Sequence, residues 1–145
     1  MTDDLIIAEA TSIEKIAALE SAMREMPQEE IPVKHYFSEG VYAREIFIKK
    51  GTVLTGYIHK YSQLNILSKG EISVSTEDGI KRISAPFTIV SPAGTKRVAF
   101  AHEDCIWTTI HGTHEKDLEK IESHFIAKDH NEYLEFCKNL MIEGD

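Results

Sequence analysis

The chain has 145 residues, of which 42% are hydrophobic, and this size and composition are typical of one globular domain rather than a disordered chain. Its formal net charge is -8 at pH 7, so the field of the whole protein repels phosphate, and we expect neither nucleic acid nor a membrane as a partner. The two cysteines, Cys105 and Cys137, are too few for a disulfide framework. Free thiols, an acidic N-terminus and the lack of a long apolar run predict a cytoplasmic protein.

The first predicted element is an amphipathic helix over about residues 12–26. Thr11 and Glu14 have the spacing of a capping box, and Pro27 ends the pattern. Between them, apolar side chains recur at helical spacing: Ile13, Ile16, Ala17, Leu19, Ala22, Met23 and Met26. Such a stripe is stable only when it is buried on the domain or on a second copy of the chain. The second of these alternatives would make the chain a homo-oligomer, and a homo-oligomer, as a dimer, is our expectation.

Residues from about 33 to 113 are predicted to form a series of short β-strands. Alternating, β-branched segments are separated by glycine-containing turns, and Asp78-Gly79 has the composition of a two-residue hairpin turn. The predicted strands are Ala43–Ile48, Thr52–His59, Leu64–Leu67, Glu71–Thr76, Lys81–Ile83, Phe87–Val90, Arg97–Ala101 and Cys105–His111. Since helices do not alternate with these strands, we expect a sandwich or barrel.

The last zone, about residues 115–142, is predicted to be helical. A first apolar stripe comprises Leu118, Ile121, Phe125 and Ile126. A second comprises Tyr133, Leu134, Phe136, Cys137, Leu140 and Met141. Asp129-His130-Asn131 is expected to separate the two helices. No linker divides the sequence, so residues 1–145 are predicted to form a single domain.

Two stretches of the strand region resemble the signature motifs of the cupin superfamily. The first starts at Gly51, includes Tyr57-Ile58-His59 and Gln63, and ends at Gly70. The second is Pro92-Ala93-Gly94-Thr95-Lys96-Arg97. The resemblance implies a mainly β fold, a single cupin jelly-roll barrel (double-stranded β-helix) carrying the N-terminal helix and the C-terminal helices.

Members of the cupin superfamily bind a metal ion at four positions of these motifs, which here hold Tyr57, His59, Gln63 and Arg97. Only His59 is a good metal ligand. Arg97 is a permanent cation without a lone pair, and the Gln63 amide is a poorer ligand than a carboxylate. We therefore expect a degenerate metal site and no cofactor. The alternative is a divalent transition metal bound by His59 with a histidine from elsewhere, such as His102 or His111.

Two further polar residues are candidates for the barrel pocket. Glu45 lies inside an apolar strand, as either the partner of Arg97 or a pocket acid, and Asn65 shares the strand parity of Gln63. Trp107 is expected in the core or at a subunit interface rather than as a stacking platform. The remaining histidines of this region are expected at the rim: His102, His111 and His114.

Four short stretches are also similar to small cupin-domain proteins encoded by tailed bacteriophages. They are His35-Tyr36-Phe37, Tyr42-Ala43-Arg44-Glu45, Gly56-Tyr57-Ile58-His59-Lys60 and Thr108-Thr109-Ile110-His111. This resemblance implies a location in the host cytoplasm and an action on host small molecules.

The function favoured by the sequence is non-enzymatic binding of a small anionic molecule in the barrel pocket. The ligand would bear a carboxylate or phosphate, as a nucleotide-like molecule does, and Arg97 would supply the charge. The predicted ligand-binding residues are Tyr57, His59, Gln63, Arg97, Glu45 and Asn65. No catalytic residue is predicted, because no nucleophile with an adjacent base is recognisable. The alternatives are a metal-dependent cupin enzyme (dioxygenase, isomerase or lyase) with an atypical metal site and a structural, oligomerising cupin.

Overall fold

The computed structural model describes residues 30–143, so the helix predicted over residues 12–26 lies outside the described residues. In that range the strands are β1 (Val33–Ser38), β2 (Val41–Ile48), β3 (Val53–Thr55), β4 (Ile58–His59), β5 (Gln63–Lys69), β6 (Glu71–Thr76), β7 (Gly79–Ser84), β8 (Phe87–Ser91), β9 (Val98–Ala101), β10 (Cys105–Gly112) and β11 (Ile126–Ala127). The helices are α1 (Leu118–Phe125) and α2 (His130–Glu143). The mainly β architecture with C-terminal helices is confirmed.

Nine of the strands form two antiparallel sheets that enclose the core. The first sheet has the order β1-β2-β10-β5-β8, and the second has the order β3-β9-β6-β7. Buried residues of both sheets pack in one cluster: Ile46, Ile48, Leu67, Ile72, Val74, Ile83, Ala99, Ala101 and Cys105. Burial of this apolar surface is the main force that holds the sheets together.

Strand alternation decides which side chains face this core. On β2, Tyr42, Ile46 and Ile48 are buried, whereas Phe47 is exposed. Since successive side chains of a strand point to opposite faces, Arg44 shares the inner face with Tyr42 and Ile46.

Gly70 of the signature connects β5 to β6 at a tight turn. Its φ is 90°, a left-handed conformation that favours glycine. A Cβ at this position would overlap the Asp104 carbonyl oxygen and would lie 2.7 Å from Cys105 Sγ. The turn therefore requires glycine for both its backbone angle and its close packing.

The predicted strand Thr52–His59 is two strands in the structure. β3 pairs with β9, while β4 pairs with β11 in a separate two-stranded sheet. The chain changes partner at Gly56, whose N–H donates to the Arg97 carbonyl oxygen at 2.9 Å. The single-strand prediction was wrong because the change of partner depends on β11, which lies far along the sequence.

The C-terminal helices are separated earlier than the sequence predicted. α1 ends at Phe125, the strand β11 follows, and α2 already begins at His130. Leu134, Leu140 and Met141 of the second predicted stripe are exposed. Among the described residues, no helix has the length and apolar character needed to cross a membrane.

α1 lies over one end of the barrel. Ile121 and Phe125 pack on Tyr42 in a buried cluster of their own. β11 continues this contact, because Ile126 pairs with His59, and the Lys60 N–H donates to the Phe125 carbonyl oxygen at 2.7 Å. The C-terminal segment thus closes the end of the barrel at which His59 lies.

Candidate ligand-binding pocket

A cavity of about 520 Å³ lies between the sheets and α1. This volume is within the range of small-molecule sites, about 300–1,000 Å³. Residues of both sheets, of β4 and of α1 line it, so the site exists only where the barrel and the C-terminal segment meet.

The first sheet contributes side chains to this cavity in rows, because neighbouring strands are paired in register. The row nearest α1 contains Tyr42 and His111. The next row contains His35, Arg44, Thr109 and Asn65. The row below contains Val33, Ile46 and Trp107. The two rows towards α1 therefore carry polar side chains, whereas the third row is apolar.

The four signature positions meet at this cavity, since Tyr57, His59, Gln63 and Arg97 all line it. Tyr57 is 58% exposed and stands at the edge. His59 Nδ1 and Gln63 Oε1 are buried, and neither atom has a hydrogen-bond partner among the described residues. Buried polar atoms are normally paired, so these two atoms are free to contact a ligand.

Arg97 is already occupied by bonds within the barrel. Nη1 donates to the Ser75 carbonyl oxygen at 2.6 Å, and Nε and Nη2 both donate to Ser91 Oγ, at 3.2 and 3.1 Å. The nearest carboxylate is Glu77, 3.9 Å away. The geometry therefore makes Arg97 a clamp between β8 and β6, and it does not support Arg97 as the main charge for a ligand.

Asn65 lies in the cavity wall but is also occupied. It is 2% exposed, its Nδ2 donates to Ser91 Oγ at 2.9 Å, and its Oδ1 accepts from Thr109 Oγ1 at 2.8 Å. Its amide joins the same network as Arg97, which holds the wall in one arrangement.

Glu45 does not line the cavity. It lies on the outer face of β2, and its Oε2 accepts from the Tyr36 hydroxyl at 3.3 Å. Both roles expected for Glu45, partner of Arg97 and pocket acid, are wrong. Glu45 has the parity of Phe47, and that face of β2 points away from the core.

Arg44 is the cavity residue that the sequence interpretation missed. It is half-buried and lines the cavity. It has neither a hydrogen bond nor an ion pair with a carboxylate in the part of the chain that the structure describes. The signal was present in the sequence, because Arg44 has the parity of the buried Tyr42 and Ile46 on one strand.

Two neutral histidines accompany Arg44. Burial first, and then the charges of His111 and Arg44, lower the pKa of His59 to about 3. Burial and the charge of Arg44 lower the pKa of His111 to about 4. At neutral pH, Arg44 is therefore the charged member of this group.

His111 was predicted at the rim and is instead 7% exposed. Its ring stacks on Phe125 at a centroid distance of 4.3 Å and on His59 at 5.6 Å. The rim prediction was wrong because α1 folds over this end of the barrel. His102 lies outside the cavity lining, with its Nε2 2.6 Å from Ser73 Oγ.

The donor set does not fit the metal ion that the cupin resemblance implies. Residues 30–143 contain no group of three or more His, Cys, Asp or Glu side chains arranged to hold an ion. The rings of His59 and His111 are stacked with an interplanar angle of 21°, so their in-plane lone pairs do not converge. Arg44 and Arg97 would in addition repel a divalent cation.

Comparisons with known proteins identify the fold alone. No family model and no curated protein matches the chain. The solved structure of KdgF from Halomonas sp. shares 18% identity, covers 61% of this chain and 86% of that one, and has a TM-score of 0.50. A cupin superfamily protein from Desulfitobacterium hafniense DCB-2 shares 12% identity, with 63% and 85% coverage and a TM-score of 0.50. The predicted cupin-type double-stranded β-helix is thereby confirmed as the fold of this chain.

Proposed function

We propose that the protein binds a small anionic molecule, bearing a carboxylate or a phosphate, with Arg44 as its charged anchor. The observation that carries this proposal is a half-buried guanidinium that lines a cavity and has no acidic partner among residues 30–143. Removing a cation from water without a partner costs free energy, and an anion in the cavity offsets that cost. A planar guanidinium also matches a carboxylate or phosphate with two parallel hydrogen bonds.

The unpartnered atoms near Arg44 complete the recognition of such a ligand. Gln63 Oε1 is an acceptor that would take an N–H or O–H of the ligand. His59 Nδ1 is either donor or acceptor in the neutral ring. Tyr57, at the edge of the cavity, is placed to cover the bound molecule.

The proposal is binding rather than catalysis. A general acid or base works best when its pKa lies near the working pH. The pKa values of His59 and His111, about 3 and about 4, are far from neutral. The wider setting, a phage-encoded dimer acting on host small molecules in the cytoplasm, stays a prediction.

A thermal-shift screen of the full chain tests this function. Inorganic phosphate, nucleotides, sugar phosphates and organic carboxylates are added to wild-type protein, to Arg44→Gln and to Lys34→Gln. Lys34→Gln removes the same charge from the exposed face of β1. We expect stabilisation by at least one anion, unchanged in Lys34→Gln and weakened roughly 10- to 100-fold in Arg44→Gln. The proposal is overturned when no anion stabilises the wild type, or when the two variants respond alike.

A further inference from the structure

Resting on this proposed function, we infer that the ligand is an amphipathic carboxylic acid whose apolar body lies in the barrel beneath Arg44. The two parts of the cavity carry this inference. The unpartnered polar atoms and the guanidinium lie towards the end closed by α1, and the lining further from α1 includes a set of apolar side chains from both sheets.

The apolar part is contributed by both sheets. The first sheet supplies Val33, Ile46, Ile48 and Trp107. The second supplies Leu54, Ile72, Val74 and Ala99. Leu54 pairs with Ala99, and Ala99 pairs with Val74, so this wall is continuous across three strands. Hydrocarbon placed against it is removed from water on two sides.

A nucleotide or a sugar phosphate is poorly matched to this interior. Its base or sugar would bring several hydrogen-bonding groups below the row of Arg44, where the first sheet presents Val33, Ile46 and Trp107. Polar groups buried without partners weaken binding. The two unpartnered atoms, His59 Nδ1 and Gln63 Oε1, belong to residues beside the row nearest α1, since His59 stacks on His111 and Gln63 precedes Asn65 on the same face of β5.

The head group is also better matched by a carboxylate than by a phosphate. One guanidinium with two N–H groups side by side satisfies one carboxylate and its single charge. A phosphate dianion would leave one charge without a cation, because Arg97 is committed to Ser75 and Ser91. The net charge of -8 adds a penalty that grows with the charge of the ligand.

Trp107 provides a direct readout of this binding mode. It is the single tryptophan of the chain and lines the cavity. Butanoate, hexanoate, octanoate and decanoate are titrated against the full chain while its emission is recorded, with decanol, AMP and glucose 6-phosphate for comparison. We expect Kd to fall about three- to fourfold for each added methylene group until the cavity is filled. Decanol should bind much more weakly than decanoate.

Two matched variants test whether the ligand's hydrocarbon chain binds at the apolar wall rather than at another hydrophobic surface. Leu54→Gln places an amide in the wall and is expected to weaken decanoate about tenfold, with a smaller effect on butanoate. Leu64→Gln makes the same change on a side chain that is 36% exposed and outside the cavity lining, and should leave Kd unchanged. Circular dichroism verifies that both variants are folded.

The possible outcomes distinguish the two proposals. Binding of AMP or glucose 6-phosphate through Arg44, without a chain-length dependence for the carboxylates, overturns the amphipathic ligand and leaves the proposed function standing. Equal affinity for decanol and decanoate, or equal effects of Leu54→Gln and Leu64→Gln, also overturns it. If no anion of either series binds, the proposed function fails as well.

Discussion

Arg44 and Arg97 line the same cavity but are in opposite chemical situations. The Arg97 guanidinium donates hydrogen bonds to Ser91 and Ser75, and its side chain is 11% exposed. Arg44 lies in the middle of β2, and its side chain has neither a hydrogen bond nor a carboxylate partner among residues 30–143. A cation held by its own protein stabilises the fold, whereas a cation without a partner remains available for a ligand. The position of an arginine in a motif therefore says less about its role than its neighbours do.

The largest expected effect is the loss of stability when Arg97 is replaced. Arg97→Ala removes the donors to the Ser75 carbonyl oxygen and to Ser91 Oγ, which keeps only its bond from Asn65 Nδ2. We expect the free energy of unfolding to fall by about 3 kcal/mol, measured by urea denaturation. The exposed Lys34→Ala on β1 serves as the control, with an expected change below about 0.5 kcal/mol. A loss below about 0.5 kcal/mol in Arg97→Ala would show that the hydrogen bonds of Arg97 do not stabilise the fold.

The second effect concerns the histidines beside Arg44. Because the pKa of His59 is about 3 in the folded protein, the unfolded chain binds a proton below about pH 6.5 that the folded chain does not bind. The free energy of unfolding therefore falls as the pH is lowered below about 6.5. Between about pH 7 and pH 5 we expect a loss of about 2 kcal/mol from this residue, measured by urea denaturation.

His59→Gln is the control for this pH dependence, because it removes the titrating group and keeps a polar side chain. The variant should lose less stability over the same interval than the wild type. Identical pH profiles would mean that His59 is not held neutral in the folded chain. Anion affinity, in contrast, should stay constant from about pH 6 to pH 8, since Arg44 keeps its charge throughout.

The third effect separates stability from binding at Arg44. Arg44→Met replaces an unpartnered, half-buried cation with an apolar chain of similar length. We expect the free energy of unfolding without ligand to be unchanged or raised by about 1 kcal/mol, and binding of the anion to be lost. Calorimetric titration and urea denaturation measure the two quantities. A destabilisation as large as that of Arg97→Ala would show that Arg44 is structural too.

The smallest effect tests what holds Arg97. Glu77 lies 3.9 Å from Arg97 Nη2, and its side chain is 57% exposed, so water screens this pair. Glu77→Gln should change the free energy of unfolding by less than about 0.5 kcal/mol. A loss above about 1 kcal/mol would mean that the carboxylate, rather than Ser75 and Ser91, holds the guanidinium.

The barrel was predictable from the sequence because its signals are local. Strand alternation and turn glycines such as Gly70 act over a few residues, and they located most of the strands. The resemblance to the cupin motifs, rather than these local signals, implied that His59 and Gln63 lie at the cavity. The position of Arg44 on the cavity face of its strand was also predictable from strand alternation. It was missed because the cupin motif contains Arg97 and not Arg44.

The features that the sequence did not predict depend on contacts between segments that are distant along the chain. Ser75 lies 22 residues before Arg97, and α1 covers His111 only after the chain has returned over the barrel. The split of the predicted strand Thr52–His59 has the same origin, because β4 pairs with β11. Pairings of this kind leave no pattern in either segment alone.

The wall that α1 and β11 add to the cavity has a consequence for biosynthesis. Every strand of the two sheets precedes Thr113, whereas α1 and β11 follow it. A ribosome-bound chain that has emerged as far as Gly112 can form both sheets, but its pocket is still open at the end where His59 lies. The proposed binding would therefore begin only late in translation, and a chain that ended at Gly112 would lack the wall that α1 and β11 add to the cavity.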